Sequence, residues 1–195
     1  MNLFFISRDP KKCAKYQTDA HVCKMPTETA QILCNVLFIH NHPTPWKEFN
    51  PKHTIVRWAN LSKANWMWTY RLGIELCKEY TYRYGKVHKA ESIIKSLECP
   101  PELPDVPFSD PYLAMPDEYK STNSLNSYRR FYFYGKRRMF FLVNGEWRWK
   151  KRKLPKFMIR YLIRDGHFKD PDEVISKSMK LAVKWNPRLN GGKIV

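Results

Sequence analysis

The chain has 195 residues, 43% of them hydrophobic and 15% aromatic. That is enough apolar material for one domain with a real core, and it excludes a disordered chain. Thirty-five Lys and Arg face 18 Asp and Glu, giving a net charge of +17. A compact domain so charged repels itself unless its partner is a polyanion, and nucleic acid is the first candidate. A membrane surface is the weaker candidate, because no basic amphipathic helix stands apart from the fold. Cys13, Cys23, Cys34, Cys77 and Cys99 are odd in number, with no CxxC and no zinc spacing. They read as reduced thiols of an intracellular protein.

The opening stretch, with five apolar residues before Arg8, is too short for a signal peptide. No apolar run approaches the roughly 20 residues of a membrane span. Leu3 to Ile6 is a strand or a buried lead-in. Asp9 followed by Pro10 predicts a short helix through Tyr16.

The next helix, from Asp19 as N-cap to about Ile39, carries His21, Lys24, Glu28 and Gln31 at intervals of 3, 4 and 3. These fall on one stripe, flanked by enough apolar residues to bury the segment. An imidazole, an ammonium and a carboxylate on a largely apolar helix is a pattern suited to an active-site wall; the bland alternative is a solvated polar face. Pro26 lies inside the span, so the helix bends there or a second helix starts at the proline.

His40 to Pro45 breaks the helix. The His40–Asn41–His42 triplet lacks the ββα setting and further ligands of an HNH nuclease. Thr54 to about Tyr84 reads as one long helix or two abutting ones, with Ser62 as an internal cap and Gly85 as the residue after the C-cap. A short helix ending near Glu98 follows. Six prolines between residues 100 and 116 predict an extended segment wrapped over the domain. A helix capped by Asn123 or Ser124 should run through Tyr134. Asn144–Gly145 between two apolar runs predicts a β-hairpin over residues 139–149. A basic cluster, Lys150 to Lys153, comes next, then a short helix over Lys156 to Ile163. Asp170–Pro171 opens a last helix to about Trp185. The expected fold is mainly α: a helical core over residues 1–134, with hairpin, basic cluster and C-terminal helix of residues 135–195 packed on the same domain.

Several stretches together resemble a known family: Met1 to Phe4 with Asp9–Pro10 and Cys13–Ala14; Asp19, His21, Val22, Lys24, Met25 and Glu28 to Gln31; His53 with Trp58–Ala59; EYTYRYGK at residues 79–86 with His88–Lys89; Met115 to Lys120; and Tyr128–Arg129. The family is the amino acid:DNA transferases, small helical proteins of tailed phages and large viruses that hypermodify DNA bases. The likeness covers roughly residues 1–134. Pro26 departs from it, standing where the family carries an aliphatic residue. The chain beyond residue 134 looks like an addition, and its basic tail suggests a DNA-binding elaboration.

The resemblance implies that an amino acid, with glycine the expected donor, is joined to a phosphorylated 5-hydroxymethylpyrimidine in DNA. Phosphate or pyrophosphate is displaced. No cofactor or metal is implied, and a viral member would act in the cytoplasm of the infected host cell. For such chemistry His21 or Glu28 suits the base that deprotonates the amine. Lys24, Arg83, Lys86, His88 and Lys89 suit the leaving anion, with Gln31, Asp117 and Tyr119 holding substrate. Trp58, Tyr80 and Tyr82 are candidates for stacking on the base. Arg137, Arg138, Lys150, Lys151, Arg152 and Lys153 are candidates for the DNA backbone. Two other classes remain open: a DNA glycosylase or lyase with Lys24 as nucleophile, and a non-catalytic nucleic-acid-binding protein. We expect the stripe of residues 21–31 to face the helix over residues 54–84, with His21, Lys24, Glu28, Arg83, Lys86 and His88 around one anionic pocket.

Overall fold

A computed structural model describes residues 1–140, 148–167, 169 and 171. The described chain is mainly helical, and no strand occurs among the described residues. Helix α1 (Pro10–Tyr16) begins where Asp9 accepts from the Lys12 N–H at 2.8 Å, with Pro10 in the first turn where its missing donor costs nothing. Helix α2 (Asp19–Ile39) is continuous through the buried Pro26. Its cap is Thr18, whose hydroxyl accepts from the His21 N–H. Asp19, expected as the cap, is instead the first helical residue. Its carboxylate accepts from the Arg83 guanidinium and from the Lys150 N–H.

The stretch over residues 54–84 divides into α3 (Thr54–Ala59) and α4 (Lys63–Tyr84), broken at Asn60–Ser62. Ser62 caps α4 by accepting from the Asn65 N–H at 3.1 Å, and Gly85 ends it in the left-handed region at φ 68°. Helices α2 and α4 form the central antiparallel pair, and α1 and α5 (Glu91–Ser96) lean on it. Where Gly73 of α4 meets α2, an added Cβ would lie 2.9 Å from Thr29 Cγ2. Trp58 and Trp66 are fully buried in the core, while Tyr70, Tyr80 and Tyr84 along α4 are half-buried.

The proline-rich segment is extended and wraps over α3 and α4. Its backbone finds partners in buried side chains: the Trp58 indole donates to the Ser109 carbonyl, the Ser109 N–H donates to Asn65 Oδ1, and the Tyr128 hydroxyl donates to the Tyr112 carbonyl. Helix α6 (Ser124–Arg130) does not run to Tyr134 as a regular helix; it passes into a single π-turn over Phe131–Gly135. The expected hairpin falls mostly on residues 141–147, outside the described residues. At its flanks Met139 closes a 3₁₀ turn and the Arg148 N–H donates to the Phe140 carbonyl, so strand geometry is not seen there. Residues 148–153 cross the start of α2, where the Trp149 indole donates to the Tyr16 carbonyl. Helix α7 (Lys156–Arg164) then buries Phe157, Met158 and Leu162. The helix expected from Asp170 to Trp185 lies outside the described residues apart from Pro171.

Candidate functional site around His21

The N-terminal segment Leu3–Ile6 is buried but irregular. Phe4 sits at φ 48°, a left-handed conformation that an aromatic residue adopts only when its surroundings hold it there. Asn2 helps to hold it, since its side-chain oxygen accepts from both the Leu3 and Phe4 N–H groups at 2.8 Å. The turn lays the Phe4 ring 4.3 Å, centroid to centroid, from the His21 imidazole. The π-turn delivers the other side of the same cluster. Phe131 lies 6.1 Å from the Phe4 ring and 5.3 Å from Tyr119. The Lys136 ammonium sits 4.9 Å from the Phe131 centroid and 5.8 Å from that of Phe4.

His21 itself is only 3% exposed. Its Nδ1 lies 2.9 Å from the Tyr132 hydroxyl and 3.3 Å from that of Thr18. The Tyr132 oxygen already accepts from the Thr18 N–H at 2.7 Å, so its own proton is directed at Nδ1. That assignment leaves the imidazole hydrogen on Nε2, which has no hydrogen-bond partner among the described residues. Burial, reinforced by the charges of Lys136 and Lys24, lowers the His21 pKa to about 3. The ring is therefore neutral at ordinary pH. Of the two candidate bases, His21 and Glu28, His21 is thus a neutral ring whose Nδ1 is occupied by Tyr132.

Two turns along α2, Glu28 accepts from the Asn2 N–H at 2.8 Å and pairs with Lys24 at 2.8 Å. Asn2 thus joins the Phe4 turn to the Glu28 carboxylate. His53, the cap of α3, accepts the Ile55 N–H on Nδ1. Burial lowers its pKa; the N-terminal amine adds to the effect and Glu28 opposes it.

The second stretch goes elsewhere. Residues Asp19, Cys23, Thr29 and Ala30 face α4 and the segment that follows it. The stripe of His21, Lys24 and Glu28 faces Asn2, Phe4 and Tyr132 instead. The expectation of one pocket shared with Arg83, Lys86 and His88 is corrected by this rotation about the α2 axis.

Arg83 is fully buried, donating to Glu79, Asp19 and the carbonyls of Gln17 and Lys15, so its guanidinium is spent on the fold. His88 donates from Nε2 to the Cys23 carbonyl and accepts the Ala90 N–H on Nδ1, clasping the loop after α4 to α2. Lys86 and Lys89 are exposed on that same loop. Gln31 is half-buried near the end of the stripe, and its carbonyl accepts from Asn35. Asp117 is exposed and paired with Lys120, while Tyr119 is half-buried against Phe131.

Of the stacking candidates, Trp58 is wholly inside the core and unavailable to a base. Tyr80 packs edge-on against His88, and Tyr82 is 47% exposed. The basic cluster is partly structural. Arg152 donates two hydrogen bonds to the buried Glu79 carboxylate, the Lys150 N–H donates to Asp19, and the Lys151 ammonium donates to the Tyr82 carbonyl. Burial pushes the Glu79 carboxyl up, but the hydrogen bonds and charges of Arg152 and Arg83 outweigh it and leave the group below the ordinary carboxylate range. Arg138 and Lys153 are exposed, and Arg137 is half-buried beside His167. The triplet histidines are used locally, His40 with Asn60 and His42 with Glu102.

Asn2, Phe4, Tyr132 and Lys136 complete the site; Asn2 and Phe4 are part of the resemblance, but sequence reasoning gives none of the four a site role. The aromatic run over residues 131–134 was the available signal, hidden because a π-turn shifts its register. Among the described residues no group of three His, Cys, Asp or Glu is placed to hold a metal, and no helix is long and apolar enough to cross a membrane. Comparison with protein-family models, curated proteins and solved structures finds no match.

Proposed function

We propose that the protein is a DNA-modifying transferase that joins an amino acid, with glycine the expected donor, to a phosphorylated 5-hydroxymethylpyrimidine in DNA. The observation that carries the reading is the grouping on one face of α2: a fixed neutral imidazole with its Nε2 edge unpaired, a carboxylate two turns away, and the ammonium groups of Lys24 and Lys136 beside them. The amine nitrogen attacks the exocyclic carbon and the C–N bond forms. The C–O bond breaks, and phosphate or pyrophosphate leaves with the electron pair. Glu28 takes the proton released by the amine. His21 Nε2–H donates to the departing oxygen, and Lys24 and Lys136 offset its charge.

The glycosylase or lyase reading is disfavoured by the setting of Lys24. Its side chain is 68% exposed and ion-paired with Glu28, the opposite of the dry pocket that activates an amine nucleophile. A non-catalytic nucleic-acid-binding protein would need no fixed imidazole at the bottom of an aromatic cluster. The test is mass spectrometry of nucleosides from phosphorylated 5-hydroxymethyluracil DNA incubated with protein and amino acids. A conjugate with the mass of amino acid plus base supports the transferase. A borohydride-trapped protein–DNA adduct without conjugate would replace it by the lyase.

A further inference from the structure

Away from His21, α1 and α4 border a cleft of about 240 Å³ lined by Lys11, Lys15, Glu75, Lys78, Glu79, Tyr82 and Arg152. Its two carboxylates are already matched. Glu75 pairs with Lys78 at 2.7 Å, and Glu79 is shared by Arg83 and Arg152. Lys11 and Lys15 form no ion pair among the described residues, yet they stand one turn apart on the same helix face. Like charges at that spacing repel and cost stability unless an anion lies between them.

At the other wall Tyr82 is 47% exposed. The Arg152 guanidinium lies 3.9 Å from its ring centroid and is pinned there by hydrogen bonds of 2.8 and 2.7 Å to Glu79. The Lys151 ammonium lies 5.5 Å from the same centroid, tied to the Tyr82 carbonyl. A preset aromatic–guanidinium stack beside uncompensated lysines matches what a single nucleic-acid strand requires: a flat surface for a base and cations for consecutive phosphates.

We infer that this cleft is a strand-binding subsite, with phosphodiester groups at Lys11 and Lys15 and a base stacked at Tyr82 and Arg152. The inference rests on the proposed function for the identity of the polyanion, but not for the chemistry at His21. It makes Arg152 both a fold-holding and a DNA-facing residue, and it adds Lys11 and Lys15 to the interface.

The experiment is fluorescence anisotropy of labelled oligothymidylate with the full chain over a range of salt. Single-strand binding loses roughly 0.7 in log–log salt slope per phosphate contact removed. Lys11→Gln/Lys15→Gln therefore flattens the slope by about 1.4, and Lys11→Gln alone, at an exposed position, flattens it by about half as much. Tyr82→Ala weakens binding roughly 5- to 150-fold with the slope unchanged. Lys47→Gln/Lys52→Gln, outside the cleft, leaves the slope at the wild-type value. An unchanged slope in the first variant, or an equal loss in the Lys47/Lys52 control, overturns the subsite. So does displacement of the oligonucleotide by inorganic phosphate at constant ionic strength, which would make the cleft a phosphate site only. Because unmodified DNA is used, these outcomes leave the transferase reading to its own product assay.

Discussion

The Tyr132 hydroxyl lies 2.9 Å from His21 Nδ1, linking residues 111 apart in the sequence. The bond sets the tautomer of the imidazole, while burial and the charges of Lys136 and Lys24 keep the ring neutral. Replacing Tyr132 by Phe removes the proton donor for Nδ1 and the acceptor for the Thr18 N–H. A buried group left without a partner costs about 1–3 kcal/mol. The expected result is a loss of that order in urea denaturation. Nitrogen-resolved NMR of the histidine rings should show His21 as the Nε2–H tautomer in the wild type and a mixed population in Tyr132→Phe. Nδ1–H in the wild type would contradict the assigned network.

Stability should also depend on pH through His21. Its folded pKa of about 3 lies below the ordinary histidine value of 6.5, so between these values the unfolded chain binds the extra proton. Stability is therefore fully present above about pH 6.5 and falls as the pH drops toward 3, at up to about 1.4 kcal/mol per unit. His53 and His167 are shifted in the same direction and add to the slope. Comparing the wild type with His21→Gln between pH 6.5 and 4.5 isolates the His21 share. The variant should show the shallower dependence, and equal slopes would mean that His21 titrates normally.

Arg83 and Lys86 separate a fold-holding cation from an exposed one. Arg83→Met leaves Glu79 with Arg152 alone and removes a partner of Asp19, and breaking such a buried set costs about 3–5 kcal/mol. Lys86→Ala at its exposed position should change stability by less than about 0.5 kcal/mol. Thermal melts of the two variants check this, and comparable losses would contradict the burial of Arg83.

The α2–α4 contact makes its own prediction. Gly73→Ala puts a methyl 2.9 Å from Thr29 Cγ2 and 3.2 Å from two atoms of Ile94. Overpacking of this kind typically costs about 1–3 kcal/mol. Gly73→Ala/Thr29→Ser, which removes the opposing methyl, should recover part of the loss. A Gly73→Ala variant as stable as the wild type would show that the helices have room to part.

The helices were legible from local chemistry: Asp9 with Pro10, Ser62, Asn123 and Gly85 mark their ends, and each signal acts within a few residues. The reading of Asp19 as a cap missed by one residue because the Thr18 hydroxyl accepts the helix N–H in its place, while the Asp19 carboxylate is drawn to Arg83 from 64 positions away. The stripe of His21, Lys24 and Glu28 was legible as a stripe. Its partner was not, because periodicity shows that residues share a face without showing what that face meets. Arg83 looked like an anion ligand since its type and spacing fit. Glu79, four residues before it, and Arg152 turn it into part of a buried network that local spacing does not encode. Trp58 fails as a stacking residue for a similar reason, being core by position and aromatic by type.

The central claim is that Glu28 and His21 serve transfer of an amino acid to a DNA base. The measurement is conjugate formed on phosphorylated 5-hydroxymethyluracil DNA, quantified by nucleoside mass spectrometry for the wild type, Glu28→Gln and His21→Gln. DNA affinity and melting temperature are recorded on the same preparations. The account predicts conjugate from the wild type, at least about 100-fold less from Glu28→Gln through loss of the proton acceptor, and a comparable loss from His21→Gln, with DNA affinity kept. Absence of conjugate from the folded, DNA-bound wild type, or full activity of Glu28→Gln, would contradict it.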